Sequence, residues 1–418
     1  MMARLVMKFG GTSVGDLDRI RNVARHVKRE IDAGHEVAVV VSAMSGETNR
    51  LVDLAKGLSP LHDAREYDTI VAAGEQISVG LLAIALQDIG VSARSWLGWQ
   101  IPIKTSSVHS SARILGIDAE KMIAQMSDGK VAVVAGFQGV SDEGCITTLG
   151  RGGSDTSAVA LAGALSADRC DIYTDVDGVY TTDPRIVEAA RRLPRVSYEE
   201  MLEMASSGAK VLQTRSAELA MVHNVKLQVR SSFDAPDQDY PEDGLVGTLI
   251  CSEEEIMEQE VVSGIAYARN EAKVTLRGVP DQPGVAARIF GALAEAAVNV
   301  DMIVQNVSVD GNETDLTFTI ANDDLARAIN VIEAISDKVG YSFIDQKPGM
   351  AKVSIVGIGM RSHAGVAQKM FQILADRGIN IHVISTSEIK VSVLLDADYA
   401  ELAVRVLHEG FGLAEGPQ

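Results

Sequence analysis

A segment near the C-terminus repeats itself, and this repeat constrains the fold more than any other feature. The run GVAARIF that begins at Gly284 matches GVAQKMF at Gly365, and NVDMI at Asn299 matches NIHVI at Asn380, with a constant offset of 81 residues. Each copy reads as strand, glycine turn, amphipathic helix, asparagine turn and strand, followed by a hairpin-like half. The order predicts two small βαββαβ units, at 264–345 and 346–418, packed as one eight-stranded sheet or as a pair of sheets.

The N-terminal part of the chain alternates short apolar runs with amphipathic stretches. Residues 4–9, 37–41 and 131–135 are predicted strands, with weaker ones at 171–174 and 226–229. Apolar residues spaced three and four apart, such as Ile20, Val23 and Val27, predict a helix over 16–33. Strands separated by helices indicate a mostly parallel sheet covered on both faces. We therefore place an α/β domain at 1–248 and, because of the acidic run 253–260, a linker at 249–263.

Charge and cysteine content exclude several classes of protein. Lys and Arg total 38 against 57 Asp and Glu, a formal charge of −19, which argues against nucleic acid or an anionic membrane as the main partner. The cysteines (Cys145, Cys170 and Cys251) lie far apart, and the histidines are scattered, so a structural zinc site is not expected. The apolar run 79–86 is too short for a membrane span. We expect a soluble, cytoplasmic protein.

Two glycines follow the first predicted strand, where the sequence reads KFGGTS from Lys8 to Ser13. Gly10 and Gly11 would let the backbone approach an anion closely, the next helix start presents free N–H groups, and Lys8 adds a positive charge. No Walker A pattern is present, and a plain turn is the alternative.

The loop at 42–49 is rich in small and hydroxyl residues. It suits either a ligand crevice at a strand end or an ordinary polar loop.

Two charged residues lie in unusual settings. Glu75 begins an apolar helix, where burial of its carboxylate is costly unless the carboxylate has a partner. Either a substrate ammonium is that partner, or Glu75 faces solvent in the first helical turn. Arg151 lies between glycines in LGRGGSDT (149–156), and its planar fork matches a carboxylate. We interpret Ser154 and Asp155 as the N-cap of the following helix. The loop YTDVDGVYTTDPR (173–185) has two interpretations: it contacts a nucleoside, or it only connects the end of a strand to the next element.

These segments together resemble aspartate kinases. KFGGTSVGD at 8–16, TLGRGGSDTSA at 148–158 and YTDVDGVYTTDPR at 173–185 carry the match, and the repeat resembles the paired ACT domains that end such enzymes. The resemblance covers essentially the whole chain, without a homoserine dehydrogenase extension. It implies an amino-acid-kinase α/β/α sandwich followed by two tandem ACT domains. The implied reaction transfers the ATP γ-phosphoryl group to the side-chain carboxylate of L-aspartate, the first step of lysine, threonine and methionine biosynthesis.

The resemblance also implies roles for individual residues. The implied catalytic residues are Lys8, Arg151 and Asp155. The residues implied to hold L-aspartate are Thr48, Glu75, Arg151 and Ser154. The residues implied to contact ATP are Lys8, Gly10, Gly11, Ser13, Thr174, Asp175, Tyr180, Arg185 and Lys210. No residue is assigned to a metal, since Mg²⁺ is expected to arrive with ATP. Gln213 and Thr214 stand where the family often has His-Pro, and Gln213 is assigned no role.

The implied chemistry is physically coherent, although two alternatives stay open. A carboxylate is already a nucleophile, so catalysis rests on alignment and charge neutralisation rather than on a general base. The chain could instead be a kinase of glutamate or its acetyl derivative, or an amino-acid sensor that has lost turnover. The KFGGTS start combined with two ACT repeats argues against the first alternative. Intact Lys8, Glu75, Arg151 and Asp155 argue against the second.

The repeat carries no residues suited to chemistry, so a sensor is its simpler interpretation. ACT pairs commonly associate through their sheets and bind amino acids at the junction, which implies feedback inhibition by lysine and threonine. The residues expected to contact the effector are Asp281, Asp301, Gln305, Asn380, Ile381, Ser387 and Glu388. We expect a homodimer, or a heterotetramer if Met257 starts a separate regulatory subunit.

Overall fold

The computed structural model describes residues 2–209, 211–236, 246–256, 260–307 and 313–415. These residues form two compact units that no single boundary in the sequence separates. The first contains the described residues up to Tyr180, then Arg192–Ala205 and the ranges 211–236 and 246–256. The second contains Thr181–Arg191, Ser206–Ala209 and the described residues from 260 onward. The predicted boundary at 248 therefore misses two short segments that belong to the second unit.

The first unit alternates strands with helices, as its apolar pattern predicts. Its described strands are β1 (Arg4–Phe9), β2 (Glu36–Val41), β3 (Ala93–Trp96), β4 (Ile103–Thr105), β5 (Ile114–Ile117), β6 (Val131–Ala135), β7 (Gln138–Ser141), β8 (Ile146–Thr148), β9 (Arg169–Thr174), β10 (Arg195–Ser197), β11 (Leu227–Ser231) and β12 (Thr248–Cys251). Its described helices are α1 (Leu17–Asp32), α2 (Glu47–Leu58), α3 (Ala64–Val71), α4 (Ala73–Asp88), α5 (Glu120–Ser127), α6 (Gly153–Ala164), α7 (Tyr198–Ser206) and α8 (Thr214–His223).

Eight of the described strands form the central sheet, in the order β10-β12-β11-β9-β1-β2-β6-β3. Strand β1 pairs in parallel with β2 on one side and with β9 on the other. A smaller sheet has the order β5-β4-β7-β8. The linker predicted from 249 is wrong at its start, because Leu249 and Ile250 are buried in β12, which pairs with β10 and β11.

Helices cover both faces of the central sheet, which is the predicted three-layer α/β/α arrangement. Helices α1 and α4 pack on the face that carries Val39, Val41 and Val133, whereas α6 packs on β1, β2 and β9 from the other face. Parallel pairing brings the carboxyl ends of β1, β2, β6 and β9 to one edge of the sheet. Ligand sites of open α/β sheets form at this edge.

The helical stretch Ala64–Asp88, which comprises α3 and α4, is long and apolar enough to cross a membrane by length and composition. Half of its most apolar window is buried inside the protein. Val79, Leu82 and Leu86 lie in the core against the central sheet. This burial is typical of the core helix of a globular domain.

The second unit contains the two repeat copies. Its described strands are β13 (Gly264–Pro280), β14 (Val300–Val307), β15 (Glu313–Ala321), β16 (Phe343–Val356), β17 (Val383–Thr386) and β18 (Lys390–Asp396). Its described helices are α9 (Val285–Glu295), α10 (Leu325–Ala334), α11 (Ser336–Val339), α12 (Val366–Asp376) and α13 (Ala400–Gly410). The equivalent helices α9 and α12 each follow a glycine with positive φ, 91° at Gly284 and 93° at Gly365, a conformation that glycine adopts without strain.

The described strands of the repeat form one six-stranded sheet, in the order β14-β15-β13-β16-β18-β17. Eight strand segments were expected, and they merge into six because β13 and β16 are long enough to serve both copies. The start of β13 pairs with the end of β16, with Ala266 opposite Ser354, and its later part pairs with the start of β16, with Thr275 opposite Asp345. The two copies therefore share backbone hydrogen bonds along continuous strands.

The segment Thr181–Arg191 packs into the second unit, although its sequence continues the loop after β9. Thr181 accepts a backbone hydrogen bond from Ile265 (2.7 Å), and its hydroxyl contacts Nε2 of His408 at 2.9 Å. Ile186 and Val187 pack against the core of the second copy. The apolar contacts explain why the chain leaves the first unit here.

Candidate active site

A cavity of about 560 Å³ lies at the carboxyl ends of β1 and β2. Seven residues predicted from the sequence line it: Lys8, Gly11, Thr48, Glu75, Arg151, Ser154 and Asp155. The loop that follows β2, which the sequence marked as a possible ligand crevice, also contributes Ser42 to Gly46. Residues from distant parts of the chain meet here because their elements end at the same edge of the sheet.

Lys8 and Asp155 form a buried ion pair at the floor of this cavity. Lys8 is the penultimate residue of β1, and its Nζ lies 2.5 Å from Oδ1 of Asp155. The interpretation of Ser154 and Asp155 as a helix cap is wrong, since α6 already begins at Gly153 and Gly152 is its N-cap residue. Asp155 instead lies within the first helical turn, where its side chain is free to reach Lys8.

The glycines after β1 bring the backbone into close contact with the loop after β2. A Cβ atom on Gly11 would lie only 2.9 Å from the carbonyl oxygen of Ala43, so no larger residue fits without a shift. Ser13 is buried in the following short helical turn, and its hydroxyl has no hydrogen-bond partner among the described residues. Closely approaching backbone and a spare hydroxyl suit a bound anion.

Glu75 occupies the first turn of α4 and is only 3% exposed. Its Oε1 accepts a hydrogen bond from the backbone N–H of Ala43 at 3.0 Å, whereas Oε2 is buried and has no partner among the described residues. Burial raises the pKa of Glu75 to about 7. A cation entering the cavity would satisfy the remaining oxygen and stabilise the ionised form.

Arg151 projects from a turn that two left-handed glycines create, with φ of 77° at Gly150 and 69° at Gly152. Arg151 is exposed at the mouth of the cavity and makes no hydrogen bond or ion pair with other described residues. A Cβ atom on Gly152 would lie 2.1 Å from Cγ of Gln213, so the Gln213 side chain packs directly on this turn. Gln213, which the sequence left without a role, therefore supports the Arg151 turn.

Of the described residues predicted to contact the nucleotide, Lys8 and Gly11 line the cavity, whereas Gly10, Ser13, Thr174, Asp175, Tyr180 and Arg185 do not. The hydroxyl of Thr174 donates to Asp175 (3.1 Å), and Tyr180 donates to Asp177 (3.0 Å). Arg185 belongs to the second unit, is paired with Asp183 at 2.7 Å and has a side chain that is 85% exposed. Lys210 lies outside the described residues. The nucleotide assignments stay predictions.

Three further cavity residues escaped the sequence reasoning, namely Tyr67, Ser110 and Phe137, and Thr148 entered it only as the first residue of a motif, without a role. Phe137 and Ser110 have positive φ, 67° and 63°, which is uncommon outside glycine. No composition or spacing rule marks such residues, because their conformations are imposed by tertiary contacts. Within the described ranges, no group of three or more His, Cys, Asp or Glu side chains is placed to hold a metal ion.

Comparison with protein families agrees with this architecture. Residues 3–231 match the amino acid kinase family, and residues 274–335 and 353–411 match the ACT domain. The aspartate kinase of Stutzerimonas stutzeri is 56% identical over 413 residues, which cover 99% of this chain and 98% of the relative. The aspartokinase of Pseudomonas aeruginosa is 56% identical over 414 residues, with the same coverage.

Solved structures show the same similarity. The E. coli aspartokinase III in complex with aspartate and ADP is 28% identical, with a TM-score of 0.81 over 97% of this chain and 99% of that one. The complex of the same enzyme with lysine and aspartate has a TM-score of 0.76 at the same coverage. With both of its units matched and a cavity of opposed charges at the carboxyl edge of its kinase sheet, this chain belongs to the ATP-dependent aspartate kinases.

Proposed function

We propose that the cavity holds L-aspartate between Glu75 and Arg151, with its side-chain carboxylate directed at a phosphoryl group beside Lys8. The observation that carries this assignment is the pattern of unused charge. Glu75 has a buried oxygen without a partner among the described residues, and Arg151 on the same cavity is likewise unpaired with them. Aspartate carries one ammonium and two carboxylates, so it can satisfy both residues and still present a nucleophile. The E. coli enzyme of similar fold binds aspartate and ADP.

In this arrangement the protein contributes alignment and charge. Lys8 neutralises the negative charge of the transferring phosphoryl group, and Asp155 holds the Lys8 ammonium in place. Backbone N–H groups near Gly10 and Gly11, with the Ser13 hydroxyl, line the phosphate path. The attacking carboxylate needs no base, so the barrier falls through positioning and electrostatic stabilisation. Mg²⁺ bound to the ATP phosphates would supply further charge neutralisation.

Replacing Lys8 by alanine tests the phosphoryl role. The substitution should lower kcat by roughly 100- to 1000-fold, because a charge that acts on the transition state is lost. The KM for aspartate should change far less. Steady-state kinetics with aspartate and MgATP gives both values, with Lys28→Ala on the exposed face of α1 as the control. A folded Lys8→Ala protein with near-normal kcat would contradict the assignment.

Replacing Arg151 by lysine tests the grip on aspartate. Lysine keeps the charge but loses the planar fork, so the KM for aspartate should rise roughly tenfold or more while the KM for MgATP stays near the wild-type value. The matched control is Arg21→Lys, because Arg21 lies exposed on α1, where it pairs with Asp18. Hydroxamate formation with aspartate against glutamate establishes the substrate in the same assay. An equal rise in both KM values would remove Arg151 from the aspartate pocket.

The pKa of Glu75, about 7, predicts a pH dependence of aspartate binding. Only the ionised carboxylate pairs with the substrate ammonium, so kcat/KM for aspartate should fall as the pH drops through about 7. Glu75→Gln should lower kcat/KM and flatten this acid limb. The profile of kcat/KM against pH for both proteins decides the point. An unchanged acid limb in Glu75→Gln would assign the titration to another group.

We also infer that the second unit senses amino acids and inhibits the kinase reaction, with lysine and threonine as the effectors. The similar E. coli enzyme binds lysine together with aspartate. Asp301 and Gln305 lie on β14, while Asn380 and Ile381 precede β17 and Ser387 and Glu388 lie in the turn after it. These two edge strands contribute to one apolar cluster with Met302, Met350, Val383 and Leu394. Asp281 lies exposed just after β13.

Asp301 already has a partner, which changes how it could bind an effector. Its carboxylate pairs with the ammonium of Lys352, a buried lysine on β16. An effector ammonium would have to share this carboxylate with Lys352. Replacing Asp301 by alanine would leave Lys352 buried without its anion, so this variant is a poor probe of effector binding.

We propose that copies of the chain associate through the edge strands of the six-stranded sheet. Ile303 on β14 and Ile384 on β17 are 51% and 44% exposed, and they occupy equivalent positions in the two repeat copies, 81 residues apart. Edge strands with exposed apolar side chains favour pairing with another sheet. Such pairing would place the effector residues at the junction of two copies. A homodimer is the simplest assembly.

Replacing Ser387 by phenylalanine tests the effector site. Ser387 is exposed in the turn between β17 and β18, where its N–H donates to Lys390. The bulky ring should leave uninhibited activity near normal and raise the inhibitory concentration of lysine plus threonine roughly tenfold or more. Inhibition curves are compared with those of Asp398→Phe, an exposed position outside this turn. Unchanged inhibition of the Ser387 variant would place the effector site elsewhere.

Met257 lies outside the described residues, and an internal start there is supported only by its position before the repeat. A separate regulatory subunit would appear as a second, smaller band when the wild-type gene is expressed. The band should vanish in Met257→Leu. A single band in both cases would rule out the heterotetramer.

A further inference from the structure

A buried carboxylate lies beneath the aspartate cavity, and neither the sequence motifs nor the reaction accounts for it. Asp68, on α3, is fully buried. It accepts hydrogen bonds from the backbone N–H of Ser110 (3.0 Å) and of Thr148 (3.0 Å). The hydroxyls of the same two residues also donate to it, at 3.3 Å and 2.6 Å. His109 completes the set through Nδ1 at 2.8 Å, and since a carboxylate only accepts, Nδ1 carries the proton.

The donors to Asp68 come from two chain segments that line the cavity. Ser110 and Thr148 are both cavity residues, and Thr148 ends β8, three residues before Arg151. Ser110 is held at a φ of 63°, a conformation that a non-glycine residue keeps only when its surroundings impose it. The Asp68 carboxylate therefore holds an unfavourable turn and a strand end in one place.

The same two segments are also joined on the other side by a cation. Arg215, on α8, donates to the carbonyl oxygens of Leu149 (2.9 Å) and Ala112 (2.8 Å). The N–H of Ala112 donates to the carbonyl oxygen of Thr148 at 2.9 Å. The Asp68 carboxylate thus accepts hydrogen bonds from N–H groups of these two segments, and the Arg215 guanidinium donates hydrogen bonds to their carbonyl oxygens.

The position of these two segments determines where the Arg151 turn begins. A Cβ atom on Gly150 would lie 3.1 Å from the carbonyl oxygen of Ser110, so the turn rests directly on the segment that Asp68 holds. We propose that Asp68 is a positioning residue for the kinase reaction, which fixes the base of the Arg151 turn so that the guanidinium meets a substrate carboxylate. This inference rests on the proposed role of Arg151.

The test is Asp68→Asn, which keeps the shape of the side chain but turns an NH₂ group toward N–H donors. The KM for aspartate should rise roughly tenfold or more, because the Arg151 turn loses its support. The KM for MgATP should stay near the wild-type value, and so should the KM values of the control Glu66→Gln, an exposed position on the same helix. A destabilised but otherwise normal site would instead lower the melting temperature and leave both KM values unchanged, which would overturn the proposal.

A milder variant keeps the proposal testable if Asp68→Asn does not fold. Thr148→Val removes only the hydroxyl that donates to Asp68, and it should also raise the KM for aspartate, by a smaller factor; an unchanged KM for aspartate in this variant overturns the proposal. Where Asp68→Asn does fold, a double-mutant cycle adds a second criterion, in which coupled effects of the two variants support action through Asp68. Additive effects mean that the Thr148 hydroxyl acts on the substrate directly, and they overturn the proposal.

Comparison with Arg151→Lys separates the two possible failures. If Arg151→Lys raises the KM for aspartate and Asp68→Asn does not, the positioning role fails and the proposed aspartate pocket stands. If Arg151→Lys itself leaves this KM unchanged, the pocket assignment fails first.

Discussion

The ion pair between Lys8 and Asp155 is the contact on which the active-site edge of the first unit depends. It joins the end of β1, in the middle of the central sheet, to the first turn of α6. Both side chains are largely buried, so removal of either partner would leave an uncompensated charge, which typically costs about 3–5 kcal/mol. The pair fixes the Lys8 ammonium relative to the glycines after β1, and Lys8, Gly11 and Asp155 all line the cavity.

Charged residues around the cavity differ in how many partners the protein itself supplies. Asp68 has donors on both oxygens, Glu75 has a described donor on one, and Arg151 is unpaired with the described residues. A fully satisfied buried charge organises structure, whereas an unsatisfied one stores an unfavourable interaction that a ligand can relieve. The groups that the described residues leave least satisfied, Glu75 and Arg151, are therefore the ones that we propose to hold the substrate, whereas Asp68 is satisfied by the protein itself.

The second unit is organised by strand length. Because β13 and β16 run through both repeat copies, neither copy has an independent sheet, and a shift in one would be transmitted along continuous backbone hydrogen bonds to the other. Thr181, which shares hydrogen bonds with Ile265 and His408, ties a segment between Tyr180 and Arg192 into this unit. The chain thus passes from the first unit into the second and back within a loop that begins at the end of β9.

Local pattern determined much of this protein. Apolar periodicity predicted β1, β2, β6 and α1 to within one residue, and the offset of 81 residues predicted equivalent helices. The glycine motifs and the polar loop at 42–49 together supply most of the residues that line the cavity. Tertiary structure decided the rest. Asp155 proved to pair with Lys8 rather than to cap α6, and Leu249 proved to lie in a strand rather than a linker. Ser110, Phe137 and Asp68 could not be found in advance. Their roles come from contacts between segments far apart in the chain, and periodicity reports only which face of an element is buried, not which distant polar group will meet it.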